Sequence, residues 1–123
     1  MSVLGVAEVM AAHSAWALSG GKVGAAKLLD ALAADGDAGV VAGMLLTRSG
    51  ARSIPLLVQA IDEGIAVAQA LEVLASIGSS GTSLPRDLQP KIAQLAKSSD
   101  PEVAQAAADV LQLADFRSDG VSF

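Results

Sequence analysis

Gly36, Gly50, Gly64 and Gly78 stand at intervals of fourteen residues, with Gly20 and Gly21 ahead of them. The stretches between them are apolar and lack the period-two alternation of a half-buried strand. A chain punctuated in this way reads as a series of short helices, each closing near a glycine that takes up the left-handed C-terminal conformation. Helix starts fall on the same grid. Asp100, Pro101 and Glu102 combine a capping carboxylate, a proline suited to the first helical position and an acid at the positive end of the dipole. Thr82 or Ser83 before Pro85, Ser53 before Pro55, and Asp37 after Gly36 repeat the signal in weaker form. The pattern predicts helices over 3–18, 22–34, 38–48, 53–62, 65–77, 84–97 and 101–114. Pro90 is expected to kink the sixth helix or to set its first turn apart, because it removes an amide donor. GSSGTS at 78–83 reads as the longest loop. The folded domain is expected over 1–115 and a flexible tail over 116–123, with Phe116 able to pack back on the last helix.

Composition narrows the classes. Hydrophobic residues make up 52% of the chain but aromatics only 2%, so the core is built from Ala, Leu, Val and Ile, which suits close helix packing better than a sheet. A net charge of −5 argues against nucleic acid or an anionic membrane as the partner. The absence of cysteine excludes disulfides, thiolate nucleophiles and thiolate metal sites. Mean hydropathy is high, at +0.51, but the most apolar run, 3–18, is too short for a membrane span and is broken by Glu8 and His13. No Lys or Arg precedes Lys22 to start a signal peptide. The expected location is cytoplasmic.

Self-similarity carries the fold expectation further. Val67-Ala68-Gln69-Ala70 recurs as Val103-Ala104-Gln105-Ala106 at an offset of 36. That register also takes Ser76 to Gln112. An offset of 37 instead aligns Glu72-Val73-Leu74 with Asp109-Val110-Leu111. One residue turns a helix by about 100°, so both cannot hold on one face; the polar stripe favours 36. A proline-led apolar helix precedes each copy, Pro55 to Ile61 and Pro90 to Leu95, and Leu28 to Leu32 leads similarly into Val40 to Leu46. Such self-similarity is what a stacked array of helical hairpins requires, each pair completing its neighbour's core; the alternative is a plain Ala-rich helical bundle whose likeness between segments is compositional.

Segment SGARSIPLLVQAIDEG (49–64) resembles the armadillo pattern of Gly-Ala, Ile-Pro and spaced Leu. DPEVAQAAADVLQLA is similar to the inner helix of a HEAT unit, and AAHSAWALSGG (11–21) to the Ala-Trp-Ala-Leu run of armadillo third helices. The resemblance to the HEAT/armadillo helical repeats spans about residues 3 to 115. It implies an all-α, short right-handed α-solenoid of about three helical hairpins plus an N-terminal helix. Ala104 stands where HEAT units commonly carry Arg, and the chain has no Asn, the usual lining of an armadillo groove. The resemblance therefore implies a fold and not an inherited binding mode.

Catalytic chemistry finds little footing. His13 is the lone histidine, on one helical face with Val6, Val9, Met10 and Trp16; a triad or a zinc site needs further partners. That face reads either as structure around a partly buried histidine or as an interface patch. The acidic pairs Asp35/Asp37, Asp62/Glu63 and Asp100/Glu102 fall at helix ends, where capping and dipole effects account for them, and no calcium-loop or phosphate-loop pattern is present. Arg48 and Arg52 flank the Gly50 turn. What remains is a surface. In solenoids of this type the second helix of each pair lines the concave side. Here that stripe carries Gln69, Glu72, Ser76, Gln105, Asp109 and Gln112. The expectation is a non-catalytic interaction or scaffold module, without a cofactor or metal, that binds a protein or peptide there, with its apolar first helix covered by self-association as a homo-oligomer or by docking onto a larger partner. The alternative is a non-catalytic or regulatory subunit that presents a substrate to an enzyme partner.

Overall fold

The structure, a computed structural model, describes residues 6–19, 24–34 and 37–116. In chain order the elements are α1 (Val6–Leu18), α2 (Ala25–Ala33), α3 (Asp37–Ser49), a 3-10 turn (Gly50–Ser53), α4 (Ile54–Glu63), α5 (Val67–Ser79), α6 (Leu88–Leu95) and α7 (Pro101–Leu113). The fold is all-α. Among the described residues there is no strand, only an isolated bridge between Leu84 and Phe116. No described helix is long and apolar enough to cross a membrane.

Neighbours in sequence pack in pairs: α1 with α2, α2 with α3, α4 with α5, and α6 with α7. A second set of contacts joins α1 to α3, α3 to α5 and α5 to α7. These four helices thus form a row, with α2, α4 and α6 laid against it. α5 is gripped by α3, α4 and α7, and its exposed residues are Glu72, Ser76 and Ser79. Leu71, Leu74 and Ile77 from α5 meet Leu46, Leu57 and Ile92 in a core without solvent contact. Ala60, Ala70 and Ala107 are buried too, and their small side chains let the helix axes approach closely.

Burial matches the offset of 36 at four positions, although buried Ile77 then falls on exposed Leu113. Ala70, Leu71, Leu74 and Gly78 are buried on α5, and so are Ala106, Ala107, Val110 and Ala114. At 37, buried Leu71 would fall on exposed Ala108.

Helix ends show where local signals sufficed. Asp100 caps α7, its Oδ1 accepting from the Glu102 amide at 3.0 Å. Gly64 ends α4 with φ at +72°, while the Ile65 amide reaches back to Ala60 O at 2.8 Å. Gly78 departs from expectation: it lies inside α5, where a Cβ would sit 2.4 Å from Ala114 Cβ. The left-handed glycine of that stretch is Gly81, at φ +104°. Gly36, and the ends of the first two expected helices at 3–5 and 22–23, lie outside the described residues. The sixth helix starts at Leu88 and not at 84, because the Leu84 amide donates to Asp115 O at 2.9 Å. Pro90 then falls in the first turn of α6, where a missing amide costs nothing. Phe116, expected to open the tail, is half-buried against the core; residues 117–123 lie outside the described ones.

Candidate functional site

Between α3 and α5 lies a depression of about 620 Å³. On the α3 side it is lined by Val40, Gly43, Met44, Thr47 and Arg48, and on the α5 side by Gln69, Glu72, Val73 and Ser76. A second depression, of about 310 Å³, lies between α5 and α7 and is lined by Glu102, Gln105, Ala106 and Asp109. Glu72 lines both, so the two flank the exposed ridge of α5 on either side. Gln69, Glu72 and Ser76 share that ridge because they are three or four residues apart on a helix whose other faces are buried.

Of the stripe read from the sequence, Gln69, Glu72, Ser76, Gln105 and Asp109 line one or other of these depressions. Gln112 is exposed on α7 but lines neither depression. The sequence reading missed the apolar half. Val40 and Met44 are 62% and 58% exposed, one helical turn apart on α3, with Gly43 beside them.

The electrostatics divide in the same direction. Glu72, Glu102 and Asp109 give the α5–α7 depression an anionic lining, and Gln105 Nε2 donates to Asp109 Oδ1 at 3.0 Å, fixing both side chains. Arg48 lines only the α3–α5 depression. Thr47 Oγ1 donates to Gly43 O at 2.8 Å, which leaves the hydroxyl turned into its own helix.

The patch expected on the first helix is corrected by packing. Val9 and Trp16 are buried in the core, where α1 meets α2 and α3. Met10 is exposed, and the side chain of Val6 lies outside the described residues. His13 is half-buried. Its Nε2 lies 2.8 Å from Ser49 Oγ, and its ring is 5.5 Å from that of Trp16. Arg52 donates from Nη2 to Ala17 O at 2.9 Å. Together these contacts staple α1 to the end of α3 and the turn after it. Desolvation, with the Arg52 charge second, lowers the His13 pKa from its ordinary value. Neither depression reaches the His13–Ser49 pair.

Three other carboxylates have structural work. Asp62 pairs with Lys91 across α4 and α6, Glu63 accepts from Gln59 at 3.1 Å, and Asp100 caps α7. Among the described residues no three potential ligands converge as a metal site would require. Comparison with protein families, with characterised proteins and with solved structures finds no match to this chain.

Proposed function

We propose that this chain is a non-catalytic interaction module that binds a protein or peptide segment on the face formed by α3, α5 and α7. In this reading the row of α1, α3, α5 and α7 is the inner layer of a short right-handed HEAT/armadillo-like solenoid. The helices α2, α4 and α6 form its outer layer, and the offset of 36 is its repeat. The observation that carries the functional reading is the shared Glu72. Two depressions flank one ridge, and an extended peptide crossing that ridge would meet an apolar end and a polar end.

The test compares capture by the wild-type chain with capture by a variant bearing Gln69→Ala, Glu72→Ala, Gln105→Ala and Asp109→Ala. A control carries Gln59→Ala and Gln94→Ala, exposed on α4 and α6. The expected outcome is a partner lost by the first variant and kept by the control, with helicity unchanged in both. Partners that survive the fourfold change would sink the proposal.

A further inference from the structure

Within the described helices, Gly39, Gly43 and Gly78 occupy positions where glycine weakens helical structure. Packing explains two of them. A Cβ at Gly39 would lie 2.2 Å from Ala34 O, and one at Gly78 would lie 2.4 Å from Ala114 Cβ. At Gly43 the nearest atom to such a Cβ is Val73 Cγ2, at an unremarkable 3.8 Å. Among the described residues nothing demands glycine there. Its bare backbone forms part of the larger depression, flanked by the exposed side chains of Val40 and Met44. Glycine is also used where something from outside must approach the backbone closely.

We infer that the groove takes a peptide segment with an apolar anchor followed or preceded by Lys or Arg. The anchor seats over Gly43 against Val40, Met44 and Val73, and the cation lies over the α5–α7 depression among Glu72, Glu102 and Asp109. This inference rests on the binding-face reading above and adds the partner's chemistry to it. Spacing follows from geometry. Packed helix axes lie about 8–10 Å apart, and an extended segment advances about 3.1–3.3 Å per residue, so anchor and cation stand about three positions apart. In a polyproline-like segment, residues three apart also share a face.

The probes are fluorescein-labelled peptides in a Gly/Ser context: Leu-Ala-Ala-Arg, its Leu-Ala-Ala-Glu counterpart, and Ala-Ala-Ala-Arg without the anchor. Each is titrated against the full chain by polarisation, and the bound site is located by amide shifts in nitrogen–proton spectra. The Leu-Ala-Ala-Arg peptide is expected to bind best and to shift amides of α3, α5 and α7. Glu72→Lys combined with Asp109→Lys should weaken it by about tenfold. Gly43→Gln, a good helix former that fills the floor, should abolish binding while helicity is kept. Equal binding of the Glu peptide, still blocked by Gly43→Gln, would overturn the cation assignment and leave the binding face standing. Binding that survives Gly43→Gln, or no groove shifts at millimolar peptide, would overturn the inference; the capture experiment decides the broader reading separately.

Discussion

Replacing each helical glycine by alanine adds the same methyl group in three places, yet the structure assigns the three changes different signs. At Gly43 the new Cβ meets Val73 Cγ2 at 3.8 Å, an ordinary contact. Alanine there is expected to stabilise by about 0.5–1 kcal/mol, through helix propensity and a less disordered unfolded chain. At Gly78 the Cβ would lie 2.4 Å from Ala114 Cβ and 2.9 Å from Ala114 Cα, where carbons settle at about 3.5–4.0 Å. The last turn of α5 would have to leave the segment after α7, and overpacking of that kind costs about 1–3 kcal/mol. The propensity gain offsets part of it, leaving a net loss of about 1 kcal/mol or more. Gly39 faces a backbone carbonyl at 2.2 Å, which cannot swing aside as a side chain does, so it too should lose stability. Urea denaturation at one pH, with the slope checked for constancy, reads all three. A Gly43→Ala protein less stable than wild type, or a Gly78→Ala protein stabilised as much as Gly43→Ala, would refute this account of helix packing.

Further perturbations test single contacts. Ser53 is wholly buried and donates to Leu46 O at 2.6 Å, holding the end of α3 over the turn that follows. Ser53→Ala should cost about 1–2 kcal/mol in urea denaturation. Asp100→Ala removes the α7 cap and should cost about 1 kcal/mol by the same assay, with Asp100→Asn close to neutral. Because the folded-state pKa of His13 is lowered from 6.5, chiefly by desolvation, the unfolded chain takes up the proton first. Its contribution to stability is therefore full above about pH 6.5 and is lost as the pH falls from there through the folded value. Stability compared at pH 7.5 and 5.5 should fall more for wild type than for His13→Gln, and equal falls would contradict the staple.

Signals confined to one turn of chain were legible. Asp100 with Pro101 marks the start of α7, and Gly64 marks the end of α4, because caps depend on residues within reach along the helix. Gly78 carried the same spacing as Gly64 but a different cause, a contact with Ala114 that no local pattern shows. The start of α6 was hidden in the same way, by the pairing of Leu84 with the chain around Asp115. For the site, the polar half was legible because α5 and α7 are amphipathic, so the residues left over from the buried stripe had to face solvent. The apolar half was not. α3 carries apolar residues on more than one face, and only packing shows that Ala42 and Leu46 point inward while Val40 and Met44 do not. Val9 and Trp16 erred in the opposite direction: an apolar stripe on a first helix looks like an interface until α2 and α3 are seen to cover it.

A foldable sequence agrees with itself at each level, and its exceptions ask for a cause. Among the described residues no buried side-chain nitrogen or oxygen lacks a partner. Ala66, at φ +49°, breaks the rule against left-handed alanine but stands in the tight turn between α4 and α5. Met10, Leu18 and Leu113 are exposed on α1 and α7 away from either depression, which is normal for single surface apolar residues. Gly43 with Val40 and Met44 is different in kind. A helix-weakening glycine that no described neighbour requires, and two exposed apolar side chains, coincide in one depression that shares Glu72 with an anionic one. Each alone is unremarkable; their coincidence costs stability at one place on the surface. If the cause lies outside the chain, Gly43→Ala should gain stability while any larger side chain at that position loses the ligand. Stability and binding would then move in opposite directions at one residue, which a merely tolerated surface glycine would not produce.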